Sequence, residues 1–495
     1  MIAAGLLTIV FRFALIRVLP HPQPSCPDEF AYLLGGQIFA SGHVAMPQLP
    51  HWQFFEMLHA FVHPVYAPKY PPAQSAFLAI GQLLGDPFYG VLISVALFAA
   101  ATCWMLQAFV RPAWSLIGGL ATALYFGAGH YWTESYWGGA AAALGAALLI
   151  GGFARLRGWI AGGAIGAGVL LLAFSRPYEG GVLILFIAGS MLVRRRQLDA
   201  RVVAIAAAAC VTTAILLAAY DTRITGSPWK LPYRLHMEQY SENEPFWFTA
   251  PLPKKNYANP AVASAYRYYD FAVYKEVRDL PVAERISRAA LTILMTIGYD
   301  GGIGGLAPLL FVFFVRRDPE VRRLAACTFL LLASLLVEVM PFEHYMAPML
   351  VASTALAFTI LDRLWRYRPV RTRDRAVIVA ILCVAVLFGP ALRVARAAAG
   401  QKSPLYHGTG FGIERARVTR DILSHPGSHV VFVRWSPAKP MPGPWVANGA
   451  HMDQSRIIWA HDRGAENREL MQSFPGRHFW LLEDDGHGVR VTPYP

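Results

Sequence analysis

Long apolar runs recur along the chain until about residue 392, and polar, often basic, segments separate them. Apolar runs, many long enough to cross a ~30 Å hydrocarbon core, cover 2–19, 89–110, 113–130, 138–154, 159–175, 180–193, 202–220, 296–315, 324–340, 346–362 and 375–392, and the short run 180–193 is expected to extend to Pro177. The pattern predicts an all-α polytopic membrane protein of about eleven transmembrane helices. Arginines gather in every second connection: Arg111, Arg155/Arg157, Arg194 to Arg196, the group from Arg316 to Arg323, and the group from Arg363 to Arg375. The positive-inside rule makes those connections cytoplasmic and the others extracytoplasmic. In the first outer loop, 20–88, helical spacing predicts a helix over 29–39 ending near Gly42, and an aromatic amphipathic stretch over 52–61. Prolines then precede a third helix over 73–84. These are expected to be interfacial helices.

Past residue 392 the period changes. A helix over 410–424, strands at 430–433 and 457–459, a helix over 466–474 and a strand at 479–482 predict a small α/β domain. The chain is therefore read as a transmembrane domain, 1–392, and an extracytoplasmic α/β domain, 393–495. Glu483-Asp484-Asp485 reads as a solvated turn. Gly158, Gly162 and Gly166, spaced by four, and the Gly/Ala-rich stretch 138–147 suggest close helix packing.

Composition supports the membrane reading. The 495 residues are 55% hydrophobic and 15% charged, with a mean hydropathy of +0.38. The net charge of +13 is accounted for by the basic connections and by attraction to anionic lipid, so no nucleic-acid partner is expected. The five cysteines form no C-x-x-C pair, and neither a disulfide framework nor a zinc motif is expected. Arg12 interrupts the first apolar run. It is expensive in lipid unless it faces protein, so it should turn inward, or the true start lies upstream of Met1. Its presence, with no small-residue cleavage site after it, argues for a membrane helix rather than a signal peptide.

The candidate chemistry lies in the outer connections. Asp28 and Glu29 follow Pro27 at the start of a helix, where carboxylates also serve as plain caps. Glu134 sits in the short aromatic connection Tyr131 to Gly139. Lys69, in Lys69-Tyr70-Pro71-Pro72, and Arg176, in Ser175-Arg176-Pro177-Tyr178-Glu179, are cations on a face where the charge bias disfavours them. Each calls for a substrate phosphate or, as the local alternative for the two cations, Glu179 or Asp28. His344 and Tyr345 fall in another short outer connection. A divalent metal is possible but not required. Its candidate ligands are Glu29, Glu134 and His344, with His130 a further low-grade one.

Taken together, Asp28-Glu29, Lys69-Tyr70-Pro71-Pro72 and Glu134 resemble the GT-C superfamily of integral-membrane glycosyltransferases. The likeness is to the bacterial relatives of protein O-mannosyltransferases and the lipid A aminoarabinose transferase. Ser135-Tyr136-Trp137-Gly138-Gly139, Arg176-Pro177-Tyr178-Glu179-Gly180 and His344-Tyr345 are similar to a subgroup of bacterial members. The resemblance implies an inverting transfer of a sugar from a polyprenyl-phosphate donor to a hydroxyl of a lipid, glycan or protein acceptor, outside the inner membrane. It implies Asp28 as base with Glu29 beside it. Lys69, Tyr70, Glu134, Tyr136, Trp137, Arg176, His344 and Tyr345 would bind substrate. One departure is the lone Glu134 where members carry an acidic pair. The rival readings are a transporter or flippase of lipid-linked sugars, and a non-catalytic membrane subunit.

Overall fold

The computed structural model describes residues 1–268, 274–300, 318–366, 372–400, 409–437, 439 and 441–494. The chain is mostly helical, with a small sheet near its C-terminus. The helices are α1 Ile2–Ala14, α2 Pro27–Ala40, α3 Ala73–Leu83, α4 Pro87–Leu106, α5 Pro112–Gly127, α6 Ala140–Arg155, α7 Gly158–Ala173, α8 Pro177–Val193 and α9 Ala200–Thr225. They continue with α10 Pro232–Tyr240, α11 Pro260–Tyr268, α12 Glu276–Asp279, α13 Val282–Asp300, α14 Pro319–Leu335, α15 Ala347–Arg366, α16 Thr372–Ala398, α17 Thr409–Leu423 and α18 Asn467–Ser473. The strands are β1 Met46–Pro47, β2 Ala60–Phe61, β3 Val65–Pro68, β4 His429–Trp435, β5 Ile457–His461, β6 His478–Asp484 and β7 Val489–Pro493.

Among the described residues, Pro87–Leu106, Ala200–Thr225 and Glu343–Arg366 are long and apolar enough to cross a membrane. Ile2–Ala14, Ala140–Arg155, Gly158–Ala173 and Pro177–Val193 are shorter apolar helices. The chain is thus an integral membrane protein. The span expected over 296–315 falls mostly outside the described residues.

Contacts divide the chain into two compact units. The first comprises Met1–Pro22, Phe88–Leu217 and Pro281–Ser403, and the second comprises Gln23–Pro87, Ala218–Leu280 and Pro404–Pro495.

In the first unit, small residues let backbones approach. A Cβ on Gly168 of α7 would stand 2.7 Å from the Gly145 carbonyl oxygen of α6. On Gly162 and Gly166 it would meet Ile205 and Ala209 of α9 at 2.9 and 2.5 Å. Gly158, the first of the spaced glycines, packs on nothing. It has a φ of +78° in open space, so its glycine serves the turn into α7 rather than an interface.

In the second unit, α2 lies against α3. A Cβ on Gly36 would stand 2.9 Å from that of Leu78, and one on Gly35 would be 2.4 Å from Ser75 Oγ. Ser75 Oγ donates to the Tyr32 carbonyl at 3.2 Å. The stretch 52–61 is not the interfacial helix its amphipathic pattern suggests. It forms a single 3₁₀ turn, Trp52–Phe54, and then strand β2. Phe54, Phe55, Met57, Leu58 and Phe61 are all buried. Too many of its apolar positions find protein for one lipid-facing stripe to form. Phe54, Phe55 and Met57 share a core with Val430, Phe432 and Ile458 of the C-terminal sheet.

That sheet runs β5-β4-β6-β7. β4 is parallel to β5 and β6, and β7 is antiparallel to β6. β7 was missing from the sequence reading. Asp484, expected in a solvated turn, is buried at the end of β6, where it accepts from Trp445 Nε1 at 2.9 Å and Lys439 Nζ at 2.6 Å. Gln37 of α2 ties the sheet connection down by accepting from Ala450 N–H at 3.0 Å.

Gly36→Val should therefore cost on the order of 1–3 kcal/mol, because Leu78 and the α3 backbone leave no room for a branched Cβ. Gly163→Ala, in open space on α7, should be neutral or stabilising. Thermal unfolding of the nanodisc-embedded protein measures both.

Candidate functional site

The site is built from the N-terminus of α2. Pro27 occupies its first turn, where a missing N–H costs nothing. The two carboxylates beside it then diverge. Glu29, 1% exposed, turns back on its own helix start. Its Oε2 accepts from Ser25 N at 2.8 Å, Ser25 Oγ at 3.1 Å and Cys26 N at 3.3 Å. Those bonds satisfy donors ahead of the first turn and place negative charge at the positive end of the helix. Asp28 points elsewhere, into a cluster that the linear sequence does not display.

Asp28 Oδ1 accepts a short hydrogen bond from the Tyr70 hydroxyl. The Tyr70 ring stacks on Tyr32 at 4.5 Å, and its carbonyl accepts from the Tyr220 hydroxyl at 2.9 Å. Asp28 Oδ2 lies 3.9 Å from His59 Nε2, and the other imidazole nitrogen, Nδ1, is 2.7 Å from Lys69 Nζ. Lys69, 8% exposed, sits over the rings of Tyr70 and Tyr233 at 5.1 Å each. Burial, reinforced by the Lys69 ammonium, pushes His59 down to about 3, so its ring is neutral at physiological pH. Burial and the adjacent Asp28 carboxylate push the Tyr70 hydroxyl well up, so Tyr70 remains a donor.

The backbone around His59 is held on both sides. His59 adopts a left-handed conformation, φ 66°, which non-glycine residues rarely adopt and which collects at functional sites. Its N–H donates to the Tyr266 hydroxyl at 3.2 Å, and its carbonyl accepts from Lys69 N–H at 3.1 Å. Tyr266 Oη lies 3.0 Å from His236 Nε2, and burial with the Lys69 charge pushes His236 well down. The neutral His236 ring and the Tyr266 hydroxyl share one hydrogen bond, whose direction follows the ring's tautomer.

The remaining sequence candidates belong to the first unit. Glu134, in the connection between α5 and α6, is paired with Arg12 of α1. Arg12 Nη2 donates to Oε2 at 3.0 Å, and Nε lies 2.8 Å from Oε1. Arg12 is 1% exposed and also donates to the carbonyls of Leu19 and Pro20 at 2.6 and 3.2 Å. This arginine, in the last turn of α1, therefore faces protein. Tyr136 is buried and donates to the Pro22 carbonyl at 3.1 Å. Trp137, His344 and Tyr345 gather: the His344 ring is 4.9 Å from Trp137 and 4.7 Å from Tyr345. The Arg176 guanidinium lies 4.3 Å over Tyr345. Its charge acts on Glu179 and Glu338, both buried. This local neutralisation was one of the two alternatives for Arg176, with Glu338 as an unforeseen member.

The three candidate metal ligands are each committed locally: Glu29 to its cap, Glu134 to Arg12, and His344 to the surrounding rings. His130, the further low-grade candidate, is also buried, and its Nδ1 accepts from Trp132 N–H at 3.1 Å. Among the described residues no group of three or more His, Cys, Asp or Glu is placed to hold an ion.

Sequence reasoning missed His59, His236, Tyr233 and Tyr266. The available signal was two aromatic-rich loops, 52–61 and 233–269, each with a histidine among apolar residues.

No protein-family model and no curated protein matches the sequence. The chain is similar to solved structures of low sequence identity. One is the Archaeoglobus fulgidus oligosaccharyltransferase in complex with Zn and sulfate, at 12% identity and TM-score 0.47, with 96% of this chain and 67% of that one covered. Another is ArnT from Cupriavidus metallidurans bound to undecaprenyl phosphate, at 15% identity and TM-score 0.47, with 97% and 92% covered.

Arg12→Met should cost about 3–5 kcal/mol, because it strands a buried carboxylate. Adding Glu134→Gln should recover most of that loss. A melting-temperature double-mutant cycle decides it: a loss in the double variant equal to the sum of the two single losses would show that the pair is not coupled.

Proposed function

We propose that the protein is a GT-C-type inverting glycosyltransferase that moves a sugar from a polyprenyl-phosphate donor to an acceptor hydroxyl, with Asp28 as base. The observation that carries the reading is the contrast between the two adjacent carboxylates. Glu29 is spent on capping α2. Asp28 is held by one oxygen through Tyr70 and keeps the other beside His59, with its side chain 17% exposed. A carboxylate fixed at one oxygen and reachable at the other is placed for proton abstraction.

In the reaction, the acceptor O–H proton passes to Asp28 Oδ2 as the acceptor oxygen bonds to the anomeric carbon. The bond from that carbon to the phosphate oxygen breaks on the opposite face, and its electron pair leaves with the lipid phosphate. The configuration inverts. A phosphate needs little help as a leaving group once its charge is stabilised, and a cation beside Asp28 fits that task. Lys69 supplies positive charge at the Asp28 cluster, and Arg176 is read as a substrate contact with Tyr136, Trp137, His344 and Tyr345. The capping of Glu29 and the pairing of Glu134 with Arg12 favour positioning roles for both.

The rest of the reading follows the sequence pattern. Eleven spans place residues 1–392 in the bacterial inner membrane, with the site and the domain 393–495 extracytoplasmic. Membrane lipids surround the spans, and the acceptor is a lipid, glycan or protein. A flippase would need ionisable groups at mid-bilayer. Arg12, the one such residue in the sequence pattern, is consumed by Glu134.

Asp28→Asn should lower transfer at least about 100-fold while expression and membrane insertion stay unchanged. Release of undecaprenyl phosphate from a panel of undecaprenyl-phosphate-linked pentoses and hexoses reads the outcome. Full activity in that variant would sink the mechanism.

A further inference from the structure

The C-terminal sheet carries a pocket that the proposed chemistry does not use. In chain order its parallel strands run β4, β5, β6, but in space β4 lies between the other two. The chain therefore leaves the carboxyl end of β4 toward β5 and that of β6 toward β7, in opposite directions. Where neighbouring strands part in this way, the carboxyl edge of a sheet opens into a crevice, and such crevices take ligands. Position alone names no ligand; the side chains do.

Register fixes which of them meet there. Val433 lies level with His461 on one side, and Trp435 with Asp484 on the other. Together with Trp445 from the β4–β5 connection they line the pocket, and all belong to the second unit. Its volume is about 30 Å³, room for one or two water-sized groups.

The polar groups of the pocket are set in place by the protein. Trp435 Nε1 donates to the Lys439 carbonyl at 3.0 Å, and Trp445 Nε1 donates to Asp484 Oδ2 at 2.9 Å, so both indole rings are held. His461 Nε2 lies 2.7 Å from the Glu56 carbonyl oxygen. A carbonyl only accepts, so Nε2 carries the proton. Burial pushes His461 down to about 4, and the neutral ring keeps Nδ1 as an acceptor. Lys439 and Asp484 add a donor and an acceptor, 2.6 Å apart.

Charge is balanced at this rim. Arg434 pairs with Asp462 and Glu483 at 2.7 and 3.0 Å, Lys439 pairs with Asp484, and Arg490 pairs with Glu483. Among the described residues, three cations thus meet three carboxylates, which leaves no surplus of either sign for an ion to neutralise. The pocket offers fixed donors and acceptors beside the half-buried ring of Trp435. That pairing suits a ligand with hydroxyls on its edge and C–H bonds on its face.

We propose that this pocket binds a neutral saccharide, with the sugar ring against Trp435 and one hydroxyl-bearing arm in the space lined by His461 and Asp484. The small volume suits the arm and excludes the ring. The site is independent of the transferase reading, because binding a glycan there needs no turnover.

Fluorine NMR of the full chain in nanodiscs tests it. Labelling with 5-fluorotryptophan gives each of the 13 tryptophans a ¹⁹F resonance, with Trp435 assigned by its loss in Trp435→Phe. The titrants are the methyl glycosides of glucose, mannose, galactose, arabinose and N-acetylglucosamine. The Trp435 resonance should shift saturably with at least one of them, half-maximally at about 1–10 mM, the range expected for a ligand of this size. Trp229, 90% exposed and assigned by its loss in Trp229→Phe, reports loose sticking and should not move. Saturation-transfer NMR of the sugar protons should show Trp435→Leu binding that glycoside about 10-fold more weakly. Should that variant melt lower, the wild-type titration alone decides. No shift of Trp435 with any glycoside overturns the site. So does parallel movement of Trp229, or a shift with inorganic phosphate or putrescine and with no glycoside.

Discussion

A charge taken out of water has to meet its opposite, or a full set of donors, within hydrogen-bond reach. This protein buries several of its charged side chains. Arg12 meets Glu134 and two carbonyls. Glu29 meets three donors at the start of its own helix. Lys69 meets an imidazole nitrogen and two aromatic rings. Most of the connections between helices are shaped by this requirement, and the candidate chemistry arises where it is only partly met. Asp28 has one oxygen secured by Tyr70 and the other 3.9 Å from His59 Nε2.

Close packing is what brings those partners within reach. Gly35 and Gly36 let α3 settle against α2. Lys69 and Tyr70, just ahead of α3, are thereby drawn beside the α2 N-terminus. The stack of Tyr70 on Tyr32 then fixes the hydroxyl that holds Asp28. A larger residue on that face of α2 would separate the two helix starts and loosen the cluster without touching any charged group. Chemistry and packing are in this sense one problem here, solved by small residues in a helix that hydropathy alone reads as ordinary.

Much of this was legible in the chain. Helical spacing located α2 and α3 and the α/β order of the tail, because those periods reflect one buried face. The capping role open to the acidic pair proved right for Glu29. The stretch 52–61 misled, since aromatic amphipathicity looks the same whether the partner is lipid or a sheet far along the chain. Arg12 could be required to face protein, but its partner 122 residues away could not be named.

By itself the sequence determined the apolar segmentation, the location of the acidic and basic connections, and the identity of the groups able to do acid–base work. Those follow from local period and residue chemistry, which neighbours in sequence already express. Only the tertiary structure decided which of two adjacent carboxylates caps a helix and which stays available. It alone set His59 between Lys69 and Asp28. Such placements depend on distances of a few ångströms between residues far apart in the chain, and no linear pattern encodes them.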